Sequence, residues 1–261
     1  MNSVNKTLYI PLYGKSCVSK RGLFLEDRTA ERIWESEGFR LKGKSASKWL
    51  AFYMGIRAAV FDDWTRQQLA SHPDAVVLHL GCGLDSRCQR AGDGKHIWYD
   101  VDFPRVIAER KRYFTESADY RMICTDVRED EWLKTIPENS TAIVVMEGLS
   151  MYLTPEELTA LARSLDSHFC RIVCLMDCYT VRAAKLSKYK NPINDVGVTQ
   201  VYGMDDPAVL NSGDFRFVRE HEMTPQRYVD QLHGMEREIF AKLYAGGFSK
   251  SLYRMYEYQK V

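Results

Sequence analysis

At 261 residues, with 45% hydrophobic and 27% charged side chains, the chain is long enough for one large α/β domain and has the composition of an ordinary globule. Its formal net charge of +1 supplies no long-range field to draw in nucleic acid or an anionic membrane. No apolar run approaches the roughly 18 residues of a membrane span, and MNSVNKTLYIPLYGK lacks a signal peptide's apolar centre, so a cytoplasmic protein with no nucleic-acid and no membrane partner is expected.

Residues Asn2 to Leu69 show mainly helical spacing, with Glu26–Glu37 and Ala46–Leu69 as the longer helix candidates. Residues 1–70 read as a helical cap belonging to the same domain as the sheet region, 71–261. Gly14-Lys15-Ser16 resembles a phosphate loop, but no glycine stands five residues before Gly14, which dismisses one. By itself Lys15 reads as a solvated surface lysine. Arg57, shortly before Phe61-Asp62-Asp63-Trp64, reads as one side of a helix-surface ion pair with Asp62 or Asp63.

The next stretch organises the rest. Val76 to Leu80 is a short apolar run suited to a buried parallel strand, and Gly81-Cys82-Gly83 breaks it into a tight turn. Two residues without Cβ let a ligand approach the backbone at the start of the next helix. Nineteen residues after Gly83, Asp102 ends a second predicted strand, Ile97 to Asp102, where a carboxylate can accept from both ribose hydroxyls. Asp100, on the same side of that strand, is the fallback. A dinucleotide fingerprint needs a third glycine, and Ser86 holds that position. The constellation therefore suits a nucleoside without a pyrophosphate.

Val106 to Phe114 is a predicted helix and Met122 to Asp126 a third strand, whose terminal Asp126 is either a helix cap or a ligand acid. Ala142 to Met146 is an apolar central strand, and Glu147 follows at the carboxyl edge, where open α/β sheets bind ligands. Thr154, Pro155 and Glu157 spell a capping box. Arg171 to Met176 is the fifth strand. Around it, Cys170, Cys174 and Cys178 have the look of a metal motif, but along a strand successive thiols lie about 13 Å apart, so no metal site is expected. All three read as buried small hydrophobes, and the odd total of seven cysteines as reduced thiols. Val181 to Asp206 lacks strong periodicity and is a possible lid. Phe215 to Glu222 and Ser251 to Gln259 read as further strands around an amphipathic helix, Pro225 to Tyr244.

GCGLDSR, WYDVDFP and VVMEGLSMYLTPEEL, in this order, resemble the leucine carboxyl methyltransferase family, above all its bacterial polyketide-type O-methyltransferases. Cys82 stands where the family usually has Ala, and Ser86 and Cys88 where bacterial members have Thr and Pro. The resemblance implies a Rossmann-like seven-stranded sheet, mostly parallel with the last strand antiparallel, and S-adenosylmethionine as cofactor, released as S-adenosylhomocysteine. It further implies that Lys15 and Arg57 reach the cofactor's carboxylate. Gly81, Gly83 and Asp102 would hold the ribose, Asp126 and Val127 the adenine, and Glu147 would lie near the methionyl part.

The implied activity is O-methylation of a carboxylate or phenolic oxygen on a small, polyketide-like acceptor, with a protein C-terminal carboxylate as the alternative. Displacement at a sulfonium methyl needs alignment rather than a catalytic triad, and an ionised carboxylate needs no general base. No catalytic residue is named, because Tyr152, Tyr179, Phe52 and Tyr53 are core aromatics or acceptor contacts alike. Two other classes compete: a nicotinamide-dependent oxidoreductase, against which the missing third glycine counts, and a non-catalytic nucleoside-binding or scaffold protein. The sequence carries no signal for oligomeric state.

Overall fold

In the computed structural model, which describes residues 7–38, 40–190 and 200–261, the apolar runs of the sequence become a single sheet. Its strands are β1 (Val76–Leu80), β2 (Trp98–Asp102), β3 (Tyr120–Cys124), β4 (Thr141–Met146), β5 (Arg171–Tyr179), β6 (Arg216–His221) and β7 (Tyr253–Lys260), in the order β3-β2-β1-β4-β5-β7-β6. The first five run parallel, and β7 inserts antiparallel between β5 and β6. This is the expected Rossmann-like sheet. Every residue of β1 is buried: Val77 faces one core, while Val76, Leu78 and Leu80 face the other, as the two-residue period of a strand covered on both faces requires. The order reverses between β1 and β4, and at such a switch point the loops after the strands part to leave a crevice.

Among the described residues, three α-helices precede the sheet: α1 (Tyr9–Lys20), α2 (Arg28–Glu37) and α3 (Lys48–Ser71). From Ala51 to Leu69, α3 buries residues on all sides, as a helix inside a core does. It meets α1 at two glycines. A Cβ on Gly14 would stand 2.7 Å from Met54 Cβ, and one on Gly55 2.7 Å from Val18 Cγ2. This close crossing fixes the adjacent Lys15 and Arg57 against the crevice.

The remaining helices are α4 (Arg87–Arg90), α5 (Pro104–Arg110), α6 (Pro155–His168), α7 (Val181–Lys190), α8 (Gln226–Val229), α9 (Gly234–Leu243) and α10 (Gly247–Lys250). The capping box of α6 forms as expected: Thr154 N donates to Glu157 Oε2 at 2.8 Å and Glu157 N to Thr154 Oγ1 at 3.2 Å. Several expectations need correction. The third strand ends at Cys124, so Asp126 lies in the following turn rather than on the strand. The helix predicted over 225–244 is two helices: residues 230–233 interrupt it, and Gly234, the first residue of the second, takes φ +52°. Val181 begins a helix that periodicity did not predict, since Asp205 accepts from Val181 N at 2.9 Å and Thr180 Oγ1 from Ala183 N at 3.2 Å. Residues 191–199 of the possible lid lie outside the described residues.

Cys174 and Cys178 are buried, but Cys170 precedes β5 and is exposed; all seven cysteines are free thiols. Among the described residues no helix is long and apolar enough to cross a membrane, and no group of three or more His, Cys, Asp or Glu side chains is arranged to hold a metal ion.

Candidate functional site

A cavity of about 990 Å³ opens at the switch point, above the carboxyl ends of β1 to β4. Lys15, Arg57, Gly81, Gly83, Asp102, Asp126, Val127 and Glu147 all line it, brought together from six separate stretches of chain. Its size falls in the range of small-molecule and cofactor sites.

The turn after β1 forms one wall. Gly81 and Gly83 take φ +68° and +53°, where any other residue is strained, and a Cβ on Gly81 would stand 3.0 Å from Leu149. Gly83 N donates to Asp102 Oδ2 at 2.8 Å, and Phe103 N donates to Asp102 Oδ1 at 2.8 Å. Asp102 thus keeps lone pairs on both oxygens. It is buried, and no cation among the described residues lies within ion-pair distance of it, so burial raises its pKa despite the two backbone donors. A buried acid held by main chain alone, beside two glycines, suits vicinal hydroxyls.

The fallback, Asp100, serves a different purpose. It is fully buried beneath the turn and accepts from Arg110 Nη2, from Tyr120 OH at 2.6 Å and from His79 Nδ1 at 3.1 Å. Arg110 in turn donates to Gly83 O at 3.0 Å, which locks the glycine turn from below.

The floor is a network of buried charges. Arg57 Nε donates to Glu147 Oε1 at 3.1 Å, Nη2 lies 2.9 Å from the same oxygen, and Nη1 donates to Asp177 Oδ2 at 3.0 Å and to Tyr253 OH at 2.8 Å. The expected surface pair with Asp62 or Asp63 does not form. Asp62 instead accepts from Arg87 Nε at 2.9 Å and from Arg90 Nε at 2.8 Å. Arg87 also bonds Glu147 and lies 3.3 Å from Asp85, and Lys15 Nζ pairs with Asp85 at 3.2 Å. Lys15 is therefore buried rather than solvated. Burial alone would raise the pKa of Glu147, but Arg57, Arg87 and Lys15 outweigh it and hold it at about 2. Burial likewise opposes ionisation of Asp85, and Arg87, Arg90 and Lys15 keep it well below the usual range. Asp177 shares Arg57 with Glu147, and burial raises its pKa.

At the β3 end, Asp126 Oδ1 accepts from Arg128 N at 3.1 Å, and the Arg128 side chain grips both carboxylate oxygens. No helix starts there for Asp126 to cap. The Arg128 hydrogen bonds lower its pKa, while Glu157 of the capping box steadies Arg128 at 3.0 Å. Val127 is buried beside it.

Away from these groups the cavity turns apolar. Leu50, Tyr53, Tyr152, Tyr179, Tyr244 and Phe248 line that half, whereas Phe52 is wholly buried in the core and does not reach it. Burial raises the phenol pKa of Tyr53, so it remains a protonated donor. His79 lines the floor, but its Nδ1 faces Asp100 and its Nε2 meets Arg87 Nη1 at 3.4 Å, which leaves neither nitrogen as a base.

Sequence reasoning missed Asp85, Arg87, Asp177, Tyr253 and Arg128. A signal existed for two of them: Asp85 and Arg87 stand inside GCGLDSR, directly after the glycines. Asp177 and Tyr253 meet Arg57 only through strand pairing of β5 with β7.

The model of the leucine carboxyl methyltransferase family matches residues 8–166. The tetracenomycin polyketide synthesis O-methyltransferase TcmP of Streptomyces glaucescens is 31% identical over 246 residues, covering 92% of this chain and 91% of that protein. The S-adenosyl-L-methionine-dependent methyltransferase dpfgK of Gibberella zeae is 30% identical over 185 residues, covering 65% and 62%. Among solved structures, magnesium protoporphyrin IX methyltransferase of Synechocystis PCC 6803 with bound S-adenosylhomocysteine shares the fold, with a TM-score of 0.54 and 13% identity over 88% of this chain and 93% of that one. Family match and relative, on this fold, thus define an S-adenosylmethionine-dependent methyltransferase. The chain belongs to the leucine carboxyl methyltransferase family.

Proposed function

We propose that the chain methylates a carboxylate or phenolate oxygen of a small, apolar, polyketide-like acceptor, in a reducing, cytoplasmic setting that suits its seven free thiols. One observation carries the reading: residues from six stretches converge on one cavity in which Asp102, alone among the buried acids lining it, has no cation. Asp102 and the Gly81 to Gly83 turn take the ribose, Asp126 and Val127 the adenine. Lys15 and the remaining donor of Arg57 take the carboxylate, and Glu147 faces the cationic end.

Bound S-adenosylmethionine supplies a methyl group already activated by its sulfonium charge. The chain's own residues need only hold the acceptor oxygen within about 3 to 3.5 Å of that methyl and in line, with water shut out. The apolar half provides exclusion, and its protonated tyrosines orient the acceptor without accepting its proton. An acceptor that arrives ionised fits a cavity whose one buried acid without a cation, Asp102, is taken up by the ribose. The aromatic wall favours a small apolar molecule over a protein C-terminus. In this reading the described parts of residues 1–70 and 181–206 belong to one domain with the sheet.

Two measurements test it. S-adenosylhomocysteine should raise the melting temperature and NAD should not, because a ligand stabilises only the state it binds. Labelled cofactor offered with aromatic carboxylates and phenols should yield an ester or ether. Stabilisation by NAD alone, or no transfer to any acceptor of either kind, overturns the proposal.

A further inference from the structure

The exposed large apolar side chains are not evenly spread. Of eleven among the described residues, five line this one cavity: Phe103, Tyr152, Leu186, Leu243 and Phe248. Single exposed apolar residues are ordinary, whereas a cluster around a mouth marks a place where something apolar binds.

Phe248 is the most exposed of the five, at 63%. It stands on α10, a four-residue helix with no buried residue, directly after Gly246 and Gly247. A Cβ on Gly246 would stand 2.7 Å from Lys242 O, which seats that residue against α9, whereas one on Gly247 would meet nothing within 4 Å, so α10 has room to turn at Gly247. Few bonds hold the helix: an exposed pair of Lys250 with Glu222 at 3.1 Å, a side-chain bond of Ser249 with Tyr53, and Thr180 Oγ1 donating to Ser251 O at 3.1 Å. Thr180 N also donates to Leu252 O at 3.1 Å, and Thr180 Oγ1 caps α7. The two walls of the mouth are therefore tied to the same residue. Across the gap, Arg182 Cζ of α7 lies 5.7 Å from the Phe248 ring centre.

We infer that Phe248 is the acceptor-selecting residue, carried by α10 as a flap that turns at Gly247 with Thr180 as its fixed end. This rests on the methyltransferase reading of the cavity. Closing lays the Phe248 ring on a flat apolar acceptor and removes the exposed patch from water, while opening breaks few buried contacts. The solvated contact with Arg182 is weak enough to be exchanged for that stacking. The flap chooses flat acceptors over bulky ones, and the cofactor end, fixed by buried charges, takes no part in the choice.

The test uses the full chain and 1-anilinonaphthalene-8-sulfonate as a flat apolar probe, titrated by fluorescence with S-adenosylhomocysteine present, alongside calorimetry of S-adenosylhomocysteine itself. Phe248→Ala should weaken probe binding about tenfold, and Phe248→Tyr should restore it, as expected for a lost ring contact. Cofactor-product affinity should stay within about twofold, since no part of Phe248 enters that end of the site. Unchanged probe affinity in Phe248→Ala, or parallel loss of both affinities, overturns the inference. Failure of S-adenosylhomocysteine to bind the unaltered chain would sink the cofactor assignment instead, and the probe comparison would still decide the role of Phe248.

Discussion

The two halves of the cavity are built on opposite plans. On the floor, the cations Lys15, Arg57, Arg87 and Arg90 and the acids Asp27, Asp62, Asp85, Glu147 and Asp177 are all buried and cross-paired. At the mouth, Leu186, Leu243 and Phe248 stand half or more exposed, the last on a four-residue helix with no buried residue. The difference separates two tasks. A floor whose charges are already fixed needs no reorganisation when a charged ligand arrives. A mouth of apolar side chains gains its contacts only when an apolar ligand comes.

The contrast is broken most severely at Arg87. Its guanidinium, wholly buried, joins Asp62, Asp85 and Glu147. Arg87→Met should leave those three acids one buried cation short, with only Arg90, Lys15 and Arg57 still paired to them, and cost about 3 kcal/mol of stability, measured by urea unfolding. A loss under about 1 kcal/mol would mean that the floor is solvated and not the rigid element described.

Acid provides a graded version of the same break. Glu147 is held at about 2 against an ordinary value of 4.5. A depressed carboxylate adds stability above its unfolded pKa, and that stability disappears as pH falls through the folded one. Stability should therefore decline between pH about 4.5 and about 2, by up to about 3 kcal/mol from this group. Asp85 acts in the same direction. Asp102 and Asp177, raised by burial, act in the opposite direction, since protonation relieves them first. Glu147→Gln should start less stable and show a shallower slope in urea unfolding across that window. An unchanged slope would remove Glu147 from the network.

Asp102 sharpens the comparison without disturbing the floor, because only main-chain groups hold it. Asp102→Ala should weaken S-adenosylhomocysteine binding by about 1 to 3 kcal/mol, the cost of stranding buried hydrogen-bond partners, with the fold intact. Unchanged affinity by calorimetry would refute the ribose assignment.

What the sequence made legible follows the same division. β1 and its glycine turn could be read because strand, turn and acid lie within one local stretch, while the hydrogen bond from Gly83 N to Asp102 is visible only in the structure. The floor was mostly illegible. Arg57 and Tyr253 are 196 residues apart, and nothing local tells that they share a proton donor and acceptor. Arg57 was assigned a neighbour on its own helix, the cheapest partner that sequence offers, and the fold supplied Glu147 and Asp177 instead. α7 escaped notice for a similar reason, since its cap from Asp205 comes from 24 residues downstream. Local pattern shows where the glycine turn and its acid lie; which charges gather beneath them depends on strand order.

The smallest expected effect is at Asp126, and it tests whether the adenine end belongs to the fixed plan or the adaptable one. Asp126 is partly exposed and already gripped by Arg128, which itself is 45% exposed at its side chain. An ion pair of that kind contributes little, so Asp126→Ala should change stability by less than about 1 kcal/mol. If its carboxylate also accepts an amine from adenine, S-adenosylhomocysteine affinity should fall by about 0.5 to 1.5 kcal/mol, less than at Asp102 because water competes for the position. Asp126→Asn keeps a side-chain acceptor and should recover part of the loss. A loss equal to that of Asp102→Ala would place Asp126 among the fixed groups, and no loss at all would leave the Asp126-Arg128 pair as a brace for the turn after β3.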